Sequence, residues 1–168
     1  MAVVDNYADA LTEAGKRTLT YFTGRGDGAV HARALVEVAA ADDNGSTYRL
    51  FDSVPVFYRI ESIKIYNDAI TAGTDYDLGF YNVANGAVID ADILLNGGDL
   101  SSAHAVGSEL VGTSALDLPD YVKPIWQILG FADKFESPAH VDLVLTANTV
   151  GTAAGTILVD AVFIPVNG

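Results

Sequence analysis

The stretch TDYDLGFYNVANGAVIDADILL, Thr74 to Leu95, alternates apolar and polar residues on both sides of an Asn-Gly pair. A period of two sends successive side chains to opposite faces of a strand, and Asn-Gly suits the positive φ angles of a two-residue hairpin turn. With Asn85-Gly86 as that turn, Phe80 meets Ala91, Leu78 meets Ile93 and Tyr76 meets Leu95, all apolar and on one face. The other face holds Asp75, Asp77, Gly79, Tyr81, Asp90, Asp92 and Asn96, with Leu94 as the exception. A one-residue slip destroys this agreement, so alternation and turn chemistry together predict a hairpin.

The same period runs through most of the chain. In VHARALVEVAA, Val30, Ala32, Ala34, Val36 and Val38 point one way, and His31, Arg33, Leu35 and Glu37 the other. DDNGS is a turn signal, and two strands follow near Thr47–Phe51 and Val56–Asn67. The apolar phase slips at Glu61–Ser62, which predicts a bulge. HVDLVLTANT alternates again, while TILVDAVFIPV is apolar on both sides except at Asp160, the mark of a central or covered strand. PIWQILGF reads as a short helix, with Pro124 at its start, Gly130 at its end and Ile125, Ile128 and Leu129 as the buried stripe. Seven or eight strands with little helix predict an all-β, jelly-roll-like antiparallel β-sandwich, with another Greek-key sandwich as the alternative.

Met1–Gly28 reads differently, as an N-terminal arm containing a short helix, ahead of a sandwich domain over 29–168. In NYADALTEAGK, Asp5 or Asn6 can cap, Tyr7, Leu11 and Ala14 share a side, and Gly15 can end the helix. Two or three turns are marginal alone, so this helix needs a surface to lie on, in its own domain or a neighbouring subunit.

Half of the 168 residues are hydrophobic and 18% are charged, which fits a globular domain with a real core. A formal net charge of −13 repels phosphate backbones, so nucleic acid is not expected as a partner. No apolar run approaches the roughly 18 residues of a membrane helix, and acids stand where a signal peptide has its basic start. With no cysteine there is no disulfide, thiolate site or cysteine nucleophile.

The four aspartates of the opening stretch are the first candidate for chemistry. Carboxylates suit calcium, and a facing pair can do acid–base work if their pKa values are pushed apart. A flat strand face, however, converges too few oxygens on one point, and the expectation is a solvated sheet face whose charge discourages edge pairing. His31, His104 and His140 lack metal-pair spacing, no serine sits in a GxSxG elbow, and TGRGDGA lacks the P-loop ending. Arg25-Gly26-Asp27 is the tripeptide read by adhesion receptors, but three residues recur by chance. Asp160, flanked by apolar residues, needs a partner such as Arg33, Arg49 or Lys64. Trp126 sits among core-like isoleucines, and Tyr81 alone is a weak sugar platform. No catalytic residue, metal or cofactor is expected, and no enzymatic activity.

From Arg59 to Ala103 the sequence resembles a group of tailed-bacteriophage virion proteins. The matching features are Asn67-Asp68, Gly73-Thr74, the strand Tyr76-Asp77-Leu78-Gly79-Phe80-Tyr81, then Asp90-Ala91-Asp92 and Gly98-Asp99-Leu100. PIWQILGF and the final strand also fit. The resemblance implies a structural role in the virion, of the capsid decoration or cement type. Such a protein is made in the host bacterial cytoplasm and binds the major capsid protein on the outside of the shell, often as a homotrimer. Tyr7, Leu11, Tyr21 and Phe22, the apolar groups of the arm, are the expected partner contacts, and the family transfers no catalytic residue. A tail, baseplate or connector component and a calcium-assisted carbohydrate-binding sandwich are the alternatives.

Overall fold

The first long strand pairs with the last, the second with the second-last, and so on inward. In the computed structural model, which describes residues 2–7, 28–110, 116, 118–133 and 138–166, these strands are β2 (Val30–Val38), β3 (Ser46–Pro55), β4 (Tyr58–Asn67), β5 (Asp75–Asn82), β6 (Val88–Gly98), β7 (His104–Glu109), β8 (His140–Thr149) and β9 (Gly155–Pro165). β2 pairs with β9, β3 with β8, β4 with β7 and β5 with β6, all antiparallel. A fifth strand on one sheet, β1 (Asp5–Tyr7), runs parallel to β3. The sheets are ordered β1-β3-β8-β5-β6 and β2-β9-β4-β7. Nested antiparallel pairs split between two sheets make a jelly roll, so the expected sandwich is present in its first-choice form.

The inner faces follow the alternation. On β2, Ala32, Ala34, Val36 and Val38 are buried while His31, Arg33 and Glu37 are exposed. Across the core, Phe51 of the first sheet meets Phe163 of the second edge-to-face, with ring centroids 6.1 Å apart. Buried aromatics of this size stabilise by roughly 2–3 kcal/mol each. β9 is central in its sheet, between β2 and β4, as its apolar sequence requires. The register shift between Ile60 and Ser62 on β4 is the bulge expected at Glu61–Ser62.

Each end of the sandwich has its own character. The loops 39–45, 68–74, 99–103 and 150–154 close one end. The other holds the tight Val56–Phe57 turn, the β5–β6 hairpin and the long β7–β8 connection. That connection carries a 3-10 turn (Leu118–Val122) and the single-turn helix α1 (Ile125–Ile128). Pro124 precedes α1, Gly130 follows it at φ +73°, and Ile125 is fully buried, as the sequence indicated. The Trp126 N–H donates to the Val56 carbonyl (2.9 Å), which fastens α1 over the β3–β4 turn.

Two expectations change. The hairpin turn is longer than Asn85-Gly86: the Asn82 N–H donates to the Ala87 carbonyl (2.8 Å) and the Gly86 N–H to the Asn82 carbonyl (2.8 Å). Tyr81 pairs with Val88, Phe80 with Asp90, Leu78 with Leu95 and Tyr76 with Gly98, so β6 carries extra residues and the constant register fails. Asp5–Tyr7 are a strand, not the first turn of a helix, because β3 offers main-chain partners. Thr47 N–H donates to the Val4 carbonyl (2.8 Å) and Asp43 N–H to the Ala2 carbonyl (2.8 Å). The start of the arm therefore lies on its own domain; the expected helix from residue 8 onward lies outside the described residues.

Candidate functional site

β1 covers a charged groove on the outer side of the first sheet. The groove encloses about 610 Å³ and is lined by Asp5, Tyr7, Arg49, Tyr81, Asn85 and Asp142, among others. Register brings these groups together. Tyr7 pairs with Arg49 across β1–β3, and Arg49 with Val144 across β3–β8. A side chain as long as Arg49 then reaches both Asp142 and the N-terminal strand.

Arg49 Nη1 is ion-paired with Asp142 Oδ2, and Nη2 lies 3.5 Å from Asp5 Oδ2. The guanidinium carbon sits 5.5 Å from the centre of the Tyr7 ring, within cation–π range. Burial works against the charge on Arg49, but the carboxylates of Asp142 and Asp5 outweigh it and its pKa is raised. The second oxygen of Asp142 accepts the Ser53 N–H (2.9 Å), and Ser53 holds φ +51° within the second irregularity of β3, between Phe51 and Val54. The strained backbone of Ser53 is thus tied to the same ion pair. Among the described residues, the buried Arg49 Nε has no hydrogen-bond partner.

Of the arm residues expected to make contacts, Tyr7 is this partly buried side chain over Arg49. Leu11, Tyr21 and Phe22 lie outside the described residues, as does Arg25-Gly26-Asp27.

The aspartates of β5 bond to amides. Asp77 Oδ1 accepts the Gly97 N–H (2.9 Å) and Oδ2 the Asn148 side-chain amide (2.6 Å), which also reaches Asp75 (3.2 Å). On β6, Asn96 donates to Asp92 (2.6 Å). Burial, with Asp92 beside it, raises the pKa of Asp90. Among the described residues no three His, Asp or Glu side chains are grouped to hold a metal ion. His104 Nδ1 lies 2.9 Å from Asn67 Oδ1, and His31 and His140 are exposed on β2 and β8. Asp160 finds the partner its surroundings demand, Arg33, at 2.5 Å.

The Arg49–Asp142 pair was not legible as a site. Asp142 reads as an outward polar residue of an alternating strand, and only the β3–β8 register places it beside Arg49.

The site and fold define a jelly-roll sandwich with its N-terminal strand added at an edge. The same fold recurs over the whole chain in a protein of the capsid of Ralstonia phage GP4, with a TM-score of 0.65, 12% identity and 100% of both chains covered. A chain of the cyanophage Pam1 capsid asymmetric unit is similar over 94% of this chain and 99% of its own, with a TM-score of 0.53 and 12% identity. No protein-family model matches the sequence, and no curated protein is similar to it.

Proposed function

We propose that this chain is a structural protein of a phage virion, and that it decorates the outer capsid shell and braces capsomers by protein–protein contact. The observation that carries the reading is the end-to-end likeness in fold to chains of two phage capsids. The acidic resemblance region Arg59–Ala103 and the N-terminal arm support it. The partner is the major capsid protein, the chain acts as a homotrimer on the virion surface, and it needs no catalytic step or cofactor. Tyr7, Leu11, Tyr21 and Phe22 supply the arm's apolar contacts to the shell. Arg49, ion-paired with Asp142, holds Asp5 and Tyr7 against the first sheet.

The test is binding to shells purified without this protein. Deleting residues 1–28 should abolish binding and leave the sandwich folded by circular dichroism. Full-strength binding by the truncated chain would remove the arm's role. No binding by the full chain, with few copies per particle in virions, would favour a tail or connector component.

A further inference from the structure

Asn-Gly is among the most chemically labile pairs in a protein chain, and the sequence has it at Asn44-Gly45, Asn85-Gly86, Asn96-Gly97 and Asn167-Gly168. The glycine nitrogen gives up its proton and attacks the side-chain amide carbon of the asparagine. The amide group takes the proton and leaves as ammonia, and a cyclic succinimide remains. Water then opens the ring to aspartate or isoaspartate. Glycine puts no side chain in the way of this attack. An N–H that donates a hydrogen bond resists loss of its proton, so the reaction waits for that bond to open. Asn167-Gly168 lies outside the described residues, and the other three asparagines are all exposed. What separates them is where their hydrogen bonds go.

At the first pair, Gly45 N–H donates to the Ala147 carbonyl on β8 (2.7 Å), and Asn44 Oδ1 accepts the Val150 N–H (3.1 Å). Freeing these groups means parting the chain from the β8 end of the sheet. At Asn96, Gly97 N–H donates to the Asp77 carboxylate on β5 (2.9 Å), and Asp92 holds the Asn96 amide nitrogen (2.6 Å). A charged acceptor strengthens such a bond. At Asn85 both bonds are local. Gly86 N–H donates to the Asn82 carbonyl (2.8 Å), and Asn85 Oδ1 accepts the Ala87 N–H (3.0 Å). These bonds lie within the hairpin tip, where Val83, Ala84 and Ala87 are exposed, so flexing of the tip alone frees the nitrogen. The bond to Oδ1 also draws electron density from the amide carbon and folds it back towards the Gly86 nitrogen.

We propose that Asn85-Gly86 is a site of spontaneous deamidation, where the folded protein changes covalently with age, and that Asp77 shields Asn96-Gly97 from the same reaction. A Cβ at Gly86 would lie 3.6 Å from Arg49 Nη2, and Asn85 lines the groove that Arg49 and Asp5 share. Deamidation there adds a carboxylate to the groove's rim, near the cation that holds Asp5 and Tyr7. The inference goes beyond the structural role proposed above, and its test needs no capsid shell.

The test is to hold the folded chain in mildly alkaline buffer and follow each pair by peptide mapping in a mass spectrometer, with isoaspartate scored by enzymatic methylation. Asn85 should convert about tenfold faster than Asn44 and Asn96 in the folded chain, and the three should convert at similar rates in urea. Asp77→Ala should speed conversion at Asn96 about tenfold and leave Asn85 unchanged, while Asp77→Asn, which keeps an acceptor oxygen, should have the smaller effect. Asn44 or Asn96 converting as fast as Asn85 in the folded chain would overturn the site, as would an Asn85 that converts only in urea. An Asn96 rate unmoved by Asp77→Ala would overturn the shield. Equal acceleration of all three pairs by that variant would mean that Asp77 acts through global stability, which also overturns it.

Discussion

The backbone of Asp90 lies directly over Gly79: a Cβ on residue 79 would stand 2.0 Å from the Asp90 carbonyl oxygen and 2.4 Å from the carbonyl carbon of Ala91. β6 folds over β5 at this point, and only a residue without a side chain allows it. Backbone cannot yield as a side-chain tip can. Gly79→Ala should therefore destabilise the fold by about 3 kcal/mol, read as a lower urea midpoint. A midpoint close to that of the unaltered chain would show that β6 can move away at little cost.

Arg49→Ala leaves Asp142 as a buried carboxylate without its cation. Removing one partner of such a pair costs about 3 kcal/mol. Asp5 is half exposed and 3.5 Å away, so Asp5→Ala should cost no more than about 0.5 kcal/mol. Urea denaturation of the two variants checks this ordering, and equal losses would assign the stabilisation to the N-terminal strand.

Tyr48 and Tyr76 are fully buried, and burial raises both phenols well above their ordinary pKa. Tyr48 donates to Asp42 (2.7 Å) and Tyr76 to the Val150 carbonyl (2.7 Å). The folded state keeps two protons that the unfolded chain releases near pH 10. Their stabilising effect is complete below that pH and is lost as pH rises beyond it. Absorbance near 295 nm should show at least two of the eight tyrosines ionising only as the protein unfolds. Smooth ionisation of all eight with the fold intact would contradict the packing of these rings.

Both oxygens of Asp77 already accept hydrogen bonds, from Gly97 and Asn148. Calcium would have to displace these donors and still gather further oxygens. Added calcium should leave the melting temperature unchanged, in the original chain and in Asp77→Asn with Asp92→Asn alike. A rise in the original chain that the double variant abolishes would establish a cation site.

The features legible in the sequence were those set by local alternation. The inward residues of β2 and β8, the bulge at Glu61 and the Pro124–Gly130 limits of α1 all follow from neighbours in the chain. The β5–β6 register did not, because between Phe80↔Asp90 and Leu78↔Leu95 β5 advances two residues and β6 five. One sign was present: Leu94, the apolar exception on the aspartate face, is buried. Asp5–Tyr7 carry a helix-start pattern, and only the distant edge of β3 makes them a strand. The Arg49–Asp142 pair spans 93 residues and has no local signature.

The nesting of the strands bears on when this domain can take shape. β9 fills the middle of its sheet, between β2 and β4, and β2 pairs with it along its full length. As the chain leaves the ribosome, β2 and β4 must wait for Gly155–Pro165 before their shared sheet exists. Until then the apolar sides of β2 and β4 stay open to water and to other chains, and closing such distant pairs is slow. The greatest aggregation hazard therefore falls before folding is complete, when a chaperone would have most to shield.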